Sequence, residues 1–289
     1  MKTIVITGAS SGLGFETAKK CAKTPDTALI LLCRNQEKAE NAKIEIIKES
    51  GNENVRWIQT DTSSLASIKR AAEEIIASGT EVSVLINNAG ISSMDVNGLT
   101  EEGFERVFAT NYLGHFLLTE LLLPHMTADA RILNISSDMH NPPGPGKMTW
   151  PGTEEIAHPK KEDRARYSYS KLALIYFAHE LDKKLRAEGS GIIVNAFNPG
   201  FMSATNFTKG SGKMMEMMVK KTMPDRYGKL EDSSDALAAL AVDPAFGNVS
   251  GAYYDRSTRT APSSELSYNE ENAAELYEKS MAYAAPYFA

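Results

Sequence analysis

Tyr167 and Lys171 stand four residues apart in a run that continues apolar at helical spacing through Leu172, Ile175, Tyr176, Ala178 and His179. Residues at i and i+4 share a helix face, so a phenol and an ammonium can point into one site. A free phenol titrates near pH ~10, and a neighbouring ammonium favours the phenolate and lowers that value. On its own the pair also fits two exposed polar residues on an amphipathic helix. Its weight depends on what the rest of the chain places beside it.

The elements that must position it are legible as alternation. Short Val/Ile/Leu-rich runs (Ile4–Ile6, Ala28–Leu32, Val55–Ile58, Val82–Ile86, Arg131–Ile135, Ile192–Phe197) read as strands. Helix-period segments lie between and after them: Gly12–Thr24, Gln36–Ser50, Leu65–Ser78, Glu101–Met126 and Tyr167–Glu188. Strands apolar on both faces that alternate with helices predict an α/β fold, a doubly wound parallel sheet of the Rossmann type. No composition shift, repeat or low-complexity tract marks a linker, so one domain over 1–289 is expected.

Thr7-Gly8-Ala9-Ser10-Ser11-Gly12-Leu13-Gly14 leaves the first strand and opens the first helix. Glycines let backbone approach a diphosphate, and a helix N-terminus offers free N–H groups. The second strand ends Cys33-Arg34 where an NAD-selective site would place a carboxylate. A guanidinium suits a 2′-phosphate instead, so NADP(H) preference is predicted. Asp61, with Thr62 beside it, ends the third strand; it could accept from an adenine amine or cap the helix start at Ser63–Ser64. Asn87-Asn88-Ala89-Gly90 follows the fourth strand, either as a turn or as a small-residue surface for a cofactor. Asn111 sits inside a helical segment, a poor place for Asn, which predicts a local distortion or an internal hydrogen-bonding role.

A net charge of −6 argues against nucleic acid as the main partner. Two cysteines, Cys21 and Cys33, make no disulfide framework and fit a reducing, cytoplasmic setting. No signal-peptide architecture or membrane-length apolar run is present, and the five histidines show no ligand spacing, so neither membrane anchor nor metal is expected.

Thr7-Gly8-x-x-x-Gly12-x-Gly14, Asn87-Asn88-Ala89-Gly90, Asn111, Ser136-Ser137, Tyr167-x-x-x-Lys171 and Pro199-Gly200 occur in the order seen in short-chain dehydrogenases/reductases, which the chain resembles over about residues 1–255. Cys33-Arg34-Asn35-x-x-Lys38-Ala39 and Asn111 to Leu118 look most like the retinol-dehydrogenase and protochlorophyllide-reductase branches. The resemblance implies Tyr167 as general acid/base, Lys171 on the nicotinamide ribose and lowering the tyrosine pKa, and Ser137, rather than Ser136, on the substrate oxygen. It implies that Asn111 holds a water beside Lys171. It places Gly8, Ser10, Ser11, Gly12, Leu13, Gly14, Arg34, Asp61, Thr62, Asn88, Ala89, Gly90, Tyr167, Lys171, Pro199, Gly200 and Thr205 at the cofactor.

Thr205 stands one position later than the family's threonine, and Ser203 is the alternative. The chain from Ser137 to Tyr167 is longer than in the shortest members; about 138–165 reads as a flap with Trp150 and Met148 able to touch substrate, or as a surface excursion. Met214-Met215-x-Met217-Met218, with Met202 and Met223, falls in the expected substrate lid at about 201–228, as adaptable lining or as a buried helix face. The expected activity is hydride transfer between NADPH and a carbonyl or secondary alcohol of a hydrophobic substrate, by a monomer or homodimer. The alternatives are a C=C reductase of the protochlorophyllide-reductase type and a non-catalytic NADP(H)-sensing protein.

Overall fold

A computed structural model describes residues 1–92, 98–144, 146–161, 163–202 and 212–288, the side chains of 212–216 excepted. Its strands are β1 (Lys2–Thr7), β2 (Thr27–Cys33), β3 (Val55–Gln59), β4 (Val82–Asn87), β5 (Met126–Ile135), β6 (Ile193–Asn198) and β7 (Tyr253–Asp255). They form a parallel sheet in the order β3-β2-β1-β4-β5-β6-β7. The helices are α1 (Gly12–Ala22), α2 (Gln36–Ser50), α3 (Leu65–Ala77), α4 (Arg106–Phe108), α5 (Gly114–Leu122), α6 (Thr153–Ala157), α7 (Arg166–Ala187), α8 (Gly212–Thr222), α9 (Leu230–Val242) and α10 (Glu270–Ala284). This is the doubly wound Rossmann architecture.

Strand alternation divides the interior in two. Val5, Ile30 and Leu32 face a core completed by residues of α3, α5, α7 and α10, while Ile4, Ile6, Leu29 and Leu31 face another completed by α1 and α9. Both sheet faces are therefore dry, which is why these strands carry unbroken apolar runs. The strand order reverses between β1 and β4, so their C-terminal ends open a crevice at the topological switch point. Among the described residues no helix is long and apolar enough to cross a membrane, and no group of three His, Cys, Asp or Glu could hold a metal ion.

Two differences from the sequence expectation have physical causes. The segment Glu101–Met126 is not one helix: α4 begins only at Arg106, a π-helical turn spans Ala109–Leu113, and α5 ends in a 3₁₀ turn at Leu123–His125. Gly103, at positive φ, and Pro124 bound the helical part, and the distortion expected at Asn111 is the π turn. β7 is three residues long, too short for periodicity to reveal. α10 lies on the α7 layer: Tyr277 packs edge-on against Phe116 at 5.2 Å, and the Tyr112 hydroxyl meets Ser280 Oγ at 2.9 Å.

Candidate active site

The turn after β1 has the shape that a diphosphate needs. Gly8 adopts φ +67°, and a Cβ on Gly14 would sit 2.4 Å from Asn88 Nδ2 and 2.8 Å from the Gly8 carbonyl. Any side chain at position 14 would force the turn away from the β4 loop. Ser11 is the N-cap of α1 and makes no side-chain capping bond, so the first-turn N–H groups remain available to an anion. Ser10 hydrogen-bonds Cys33, while the Leu13 side chain is buried in the core, leaving only its backbone amide at the turn. The residues fit a dinucleotide phosphate.

At the end of β2, Arg34 is exposed and pairs with no carboxylate among the described residues. Asp61 Oδ1 accepts from the Ser63 amide at 2.9 Å and its hydroxyl at 2.7 Å, closing the turn before α3, whereas the cap of α3 itself is Ser64, which accepts from Ser67 N. Thr62 is buried with its carbonyl against Gly114.

A largely buried network ties this turn to the other strands. Thr7 Oγ1 accepts from the amides of Asn88 at 2.8 Å and Ala89 at 2.9 Å and lies 2.9 Å from His115 Nε2. His115 Nδ1 faces the Asn111 carbonyl at 2.9 Å. A carbonyl only accepts, so Nδ1 carries the proton and Nε2 accepts from Thr7. Burial pushes the imidazole down to about 4, keeping it neutral. Asn111 itself is spent on protein: Oδ1 accepts from Ile91 N at 2.8 Å, and Nδ2 donates to the Ile91 carbonyl and to Ser170 Oγ. The second acceptor positions of Oδ1 and of the Asn111 carbonyl are what remain for a water.

α7 delivers Tyr167 and Lys171 to the ends of β4 and β5. A Cβ on Gly90 would stand 3.3 Å from Asn111 Oδ1 and 3.6 Å from Lys171 Nζ, which brings these three residues together. Lys171 Nζ donates to the Ile135 carbonyl at 2.8 Å and lies 5.7 Å from the centre of the Tyr167 ring. Ser136 is committed to the Lys171 carbonyl at 2.8 Å, whereas the Ser137 hydroxyl hydrogen-bonds Tyr167. On the far side Gly200, at φ +76°, takes its amide bond to Asn198 Oδ1, and the Pro199 carbonyl accepts from Ser233.

The electrostatics depart from expectation. Burial raises the Tyr167 phenol to about 12; the Ser137 hydrogen bond opposes that and the Asp138 charge adds to it. Burial also pushes the Lys171 ammonium down to about 7, so at neutrality it is only partly charged. The anticipated lowering of the tyrosine by the lysine is therefore absent here, because desolvation acts on both partners.

Thr205 and Ser203 lie outside the described residues, as do the side chains of Met214 and Met215. Met217 and Met218 are exposed, 66% and 53%, so they form no buried helix face. The Trp150 ring packs edge-on against Tyr176 at 5.1 Å, and its indole N–H reaches Glu275 of α10 at 3.5 Å. Sequence reasoning missed Thr7 and His115 as a connected pair, though His115 stands one helical turn beyond Asn111. It also missed the cluster around Asp138, whose members are distant in sequence.

The family model for the short chain dehydrogenase matches residues 2–152. Retinol dehydrogenase 13 of Mus musculus is 38% identical over 301 residues, covering 99% of this chain and 86% of that protein. The chloroplastic short-chain dehydrogenase TIC 32 B of Brassica napus is 33% identical over 275 residues, covering 90% of this chain and 82% of its own. A crystal structure of a protein from Mycobacterium Paratuberculosis superposes with a TM-score of 0.75 at 28% identity, over 99% of this chain and 94% of the other. With a glycine turn at the switch point and relatives matched along almost its whole length, the chain belongs to the short-chain dehydrogenase/reductase family of nicotinamide-dependent oxidoreductases, in its retinol dehydrogenase-like branch.

Proposed function

We propose that the chain is an NADP(H)-dependent oxidoreductase that interconverts a carbonyl and an alcohol on an apolar small molecule. The observation that carries this is the convergence of Ser137, Tyr167 and Lys171, with Asn111 behind them, at strand ends facing the glycine turn. The nicotinamide supplies the hydride when bound, and the protein supplies position and a proton. Gly8, Ser10, Ser11, Gly12 and Gly14, with the Leu13 amide, cradle the diphosphate. Arg34 takes the 2′-phosphate, while Asp61 and Thr62 flank the adenine. Asn88, Ala89, Gly90, Pro199, Gly200 and Thr205 line the nicotinamide half.

Ser137 orients the substrate oxygen. Tyr167, with a phenol raised to about 12, is protonated at neutral pH and donates its proton to the nascent alkoxide. Reduction is the direction that this protonation state favours; oxidation needs the phenolate and gains with rising pH. Lys171 hydrogen-bonds the ribose and, once charged, steadies the phenolate. A relative named retinol dehydrogenase supports an apolar alcohol or aldehyde as substrate. The setting proposed is cytoplasmic, in keeping with two buried free thiols, Cys21 and Cys33.

The test is NADPH consumption by purified protein against ketones, aldehydes and quinones, with NADH alongside. Tyr167→Phe is expected to lower turnover by roughly 10²–10⁴-fold with cofactor affinity retained. Full activity in that variant removes Tyr167 from the mechanism. Arg34→Ala should lower the preference for NADPH over NADH by about 10- to 150-fold, the worth of one charge-assisted hydrogen bond. An unchanged affinity ratio would assign the 2′-phosphate elsewhere.

A further inference from the structure

The turn that carries Ser137 is tied back to α7 through a side chain that the proposed reaction does not use. His140 closes the 3₁₀ turn Asp138–His140 and is 6% exposed. Its amide donates to the Ser137 carbonyl at 3.0 Å, and its Nδ1 reaches the same oxygen at 2.7 Å. Nε2 takes the Ser264 amide at 3.0 Å. A carbonyl only accepts and a backbone amide only donates, so the ring is neutral with its proton on Nδ1. Burial pushes its pKa down, in keeping with that state. The ring packs against Tyr253 of β7, 5.2 Å between centres.

Ser264 opens a second 3₁₀ turn, Glu265–Tyr268, which is bolted to α7. The Tyr176 hydroxyl donates to the Leu266 carbonyl at 2.8 Å, and His179 Nδ1 lies 3.1 Å from the Ser267 carbonyl. Tyr176 and His179 stand on the helix that presents Tyr167 and Lys171. A circuit is thereby closed: from the Ser137 carbonyl through His140 and Ser264 to α7, then along the helix to Tyr167, whose hydroxyl hydrogen-bonds Ser137. The helix is the rigid leg, so the place of the Ser137 turn relative to Tyr167 depends on the imidazole between them. Ser137 Oγ accepts from Met139 N at 3.2 Å, inside the turn that His140 closes, so the hydroxyl is oriented along with the backbone.

We infer that His140 is a positioning residue of this site: by bridging the Ser137 carbonyl to Ser264 it holds the Ser137 hydroxyl in register with Tyr167. The inference rests on the proposed roles of Ser137 and Tyr167. Substitutions can cut the bridge at either end. His140→Asn keeps a donor where Nδ1 stands but is too short to meet Ser264. Ser264→Pro removes the amide that Nε2 accepts. Ser264 has φ −67°, the value proline fixes, and its hydroxyl has no hydrogen-bond partner among the described residues, so little else is lost. His140→Phe keeps a ring against Tyr253 and removes both bonds.

The test is steady-state reduction by the full chain with NADPH and the best substrate among ketones, aldehydes and quinones, kcat being referred to folded protein and NADPH affinity measured alongside. His140→Phe is expected to lower kcat by about 10- to 100-fold, the scale of a reacting group displaced by up to ~1 Å, with NADPH affinity retained. Ser264→Pro and His140→Asn cut the same bond. Each should cost less than His140→Phe, and the double variant no more than the worse single one. Unchanged kcat in His140→Phe beside lowered stability in urea overturns the inference, since bracing alone gives that pattern. Losses that multiply in the double variant overturn it too. Should His140→Phe not fold, unchanged kcat in both Ser264→Pro and His140→Asn is equally fatal. Hydrogen exchange of the 137–141 amides needs no turnover. A protein inert on every substrate would sink the proposed function; faster exchange in Ser264→Pro would still uphold the hold on the turn, and unchanged exchange would overturn it.

Discussion

The two walls of the cleft are built from opposite kinds of polar chemistry. On the proposed cofactor side, Thr7, Asn87, Asn111, His115, Thr119 and Asn134 form a neutral network with no exposure at all. On the proposed substrate side, Asp138, Asp255 and Arg256 are ionic and partly open, about a fifth to a quarter exposed. The difference teaches where charge is tolerated. A dry interior admits polar groups that satisfy one another without ionising, whereas charges settle where water still screens them. The neutral wall even leaves one atom, Asn87 Oδ1, buried without a hydrogen-bond partner, a cost that an ion in its place would multiply.

The comparison breaks if the neutral wall proves dispensable. His115→Phe strips partners from both Thr7 and the Asn111 carbonyl, and is expected to lower folding stability by about 3–5 kcal/mol, the sum for two stranded buried groups and a distorted fit. Equilibrium urea unfolding measures it; a loss below about 1 kcal/mol would mean that the network does not hold the π turn.

Acid sharpens the same contrast. The folded His115 value of about 4 lies below the ordinary ~6.5, so above pH ~6.5 both states are neutral and its contribution is intact. As pH falls toward 4 the unfolded chain takes the proton first, and about 3 kcal/mol of stability is lost from this residue. Unfolding followed between pH 7 and 4 should show that loss, and it should be missing from His115→Phe. An equal acid slope in the two proteins would place the titration elsewhere.

The smallest expected effect is on the ionic wall. Raising salt from 0.1 to 1 M should cost the intact protein no more than about 1 kcal/mol through this cluster, because partly exposed pairs are already screened. A larger loss, absent from Arg256→Gln, would show the pair to be more strongly desolvated than its exposure indicates.

Much of the candidate site was readable along the chain. The glycine turn, Arg34, the Asn at a helix-breaking position and the Tyr–Lys spacing each announce themselves within a few residues, since local backbone demands and i,i+4 geometry are properties of short segments. The alternation of apolar runs determined the doubly wound sheet for the same reason. Other features depend on residues far apart. Asp138 meets Asn198, Arg226 and Arg256 only because β5, β6 and β7 end side by side. Trp150 could have faced a substrate or a helix; it packs on Tyr176 because α10 builds out that layer, and a ring buries against whatever apolar surface the fold supplies. The pKa values of Tyr167 and Lys171 were beyond sequence too. Spacing gives proximity, but desolvation by the surrounding core decides which protonation state survives, and only tertiary structure sets how much water is left.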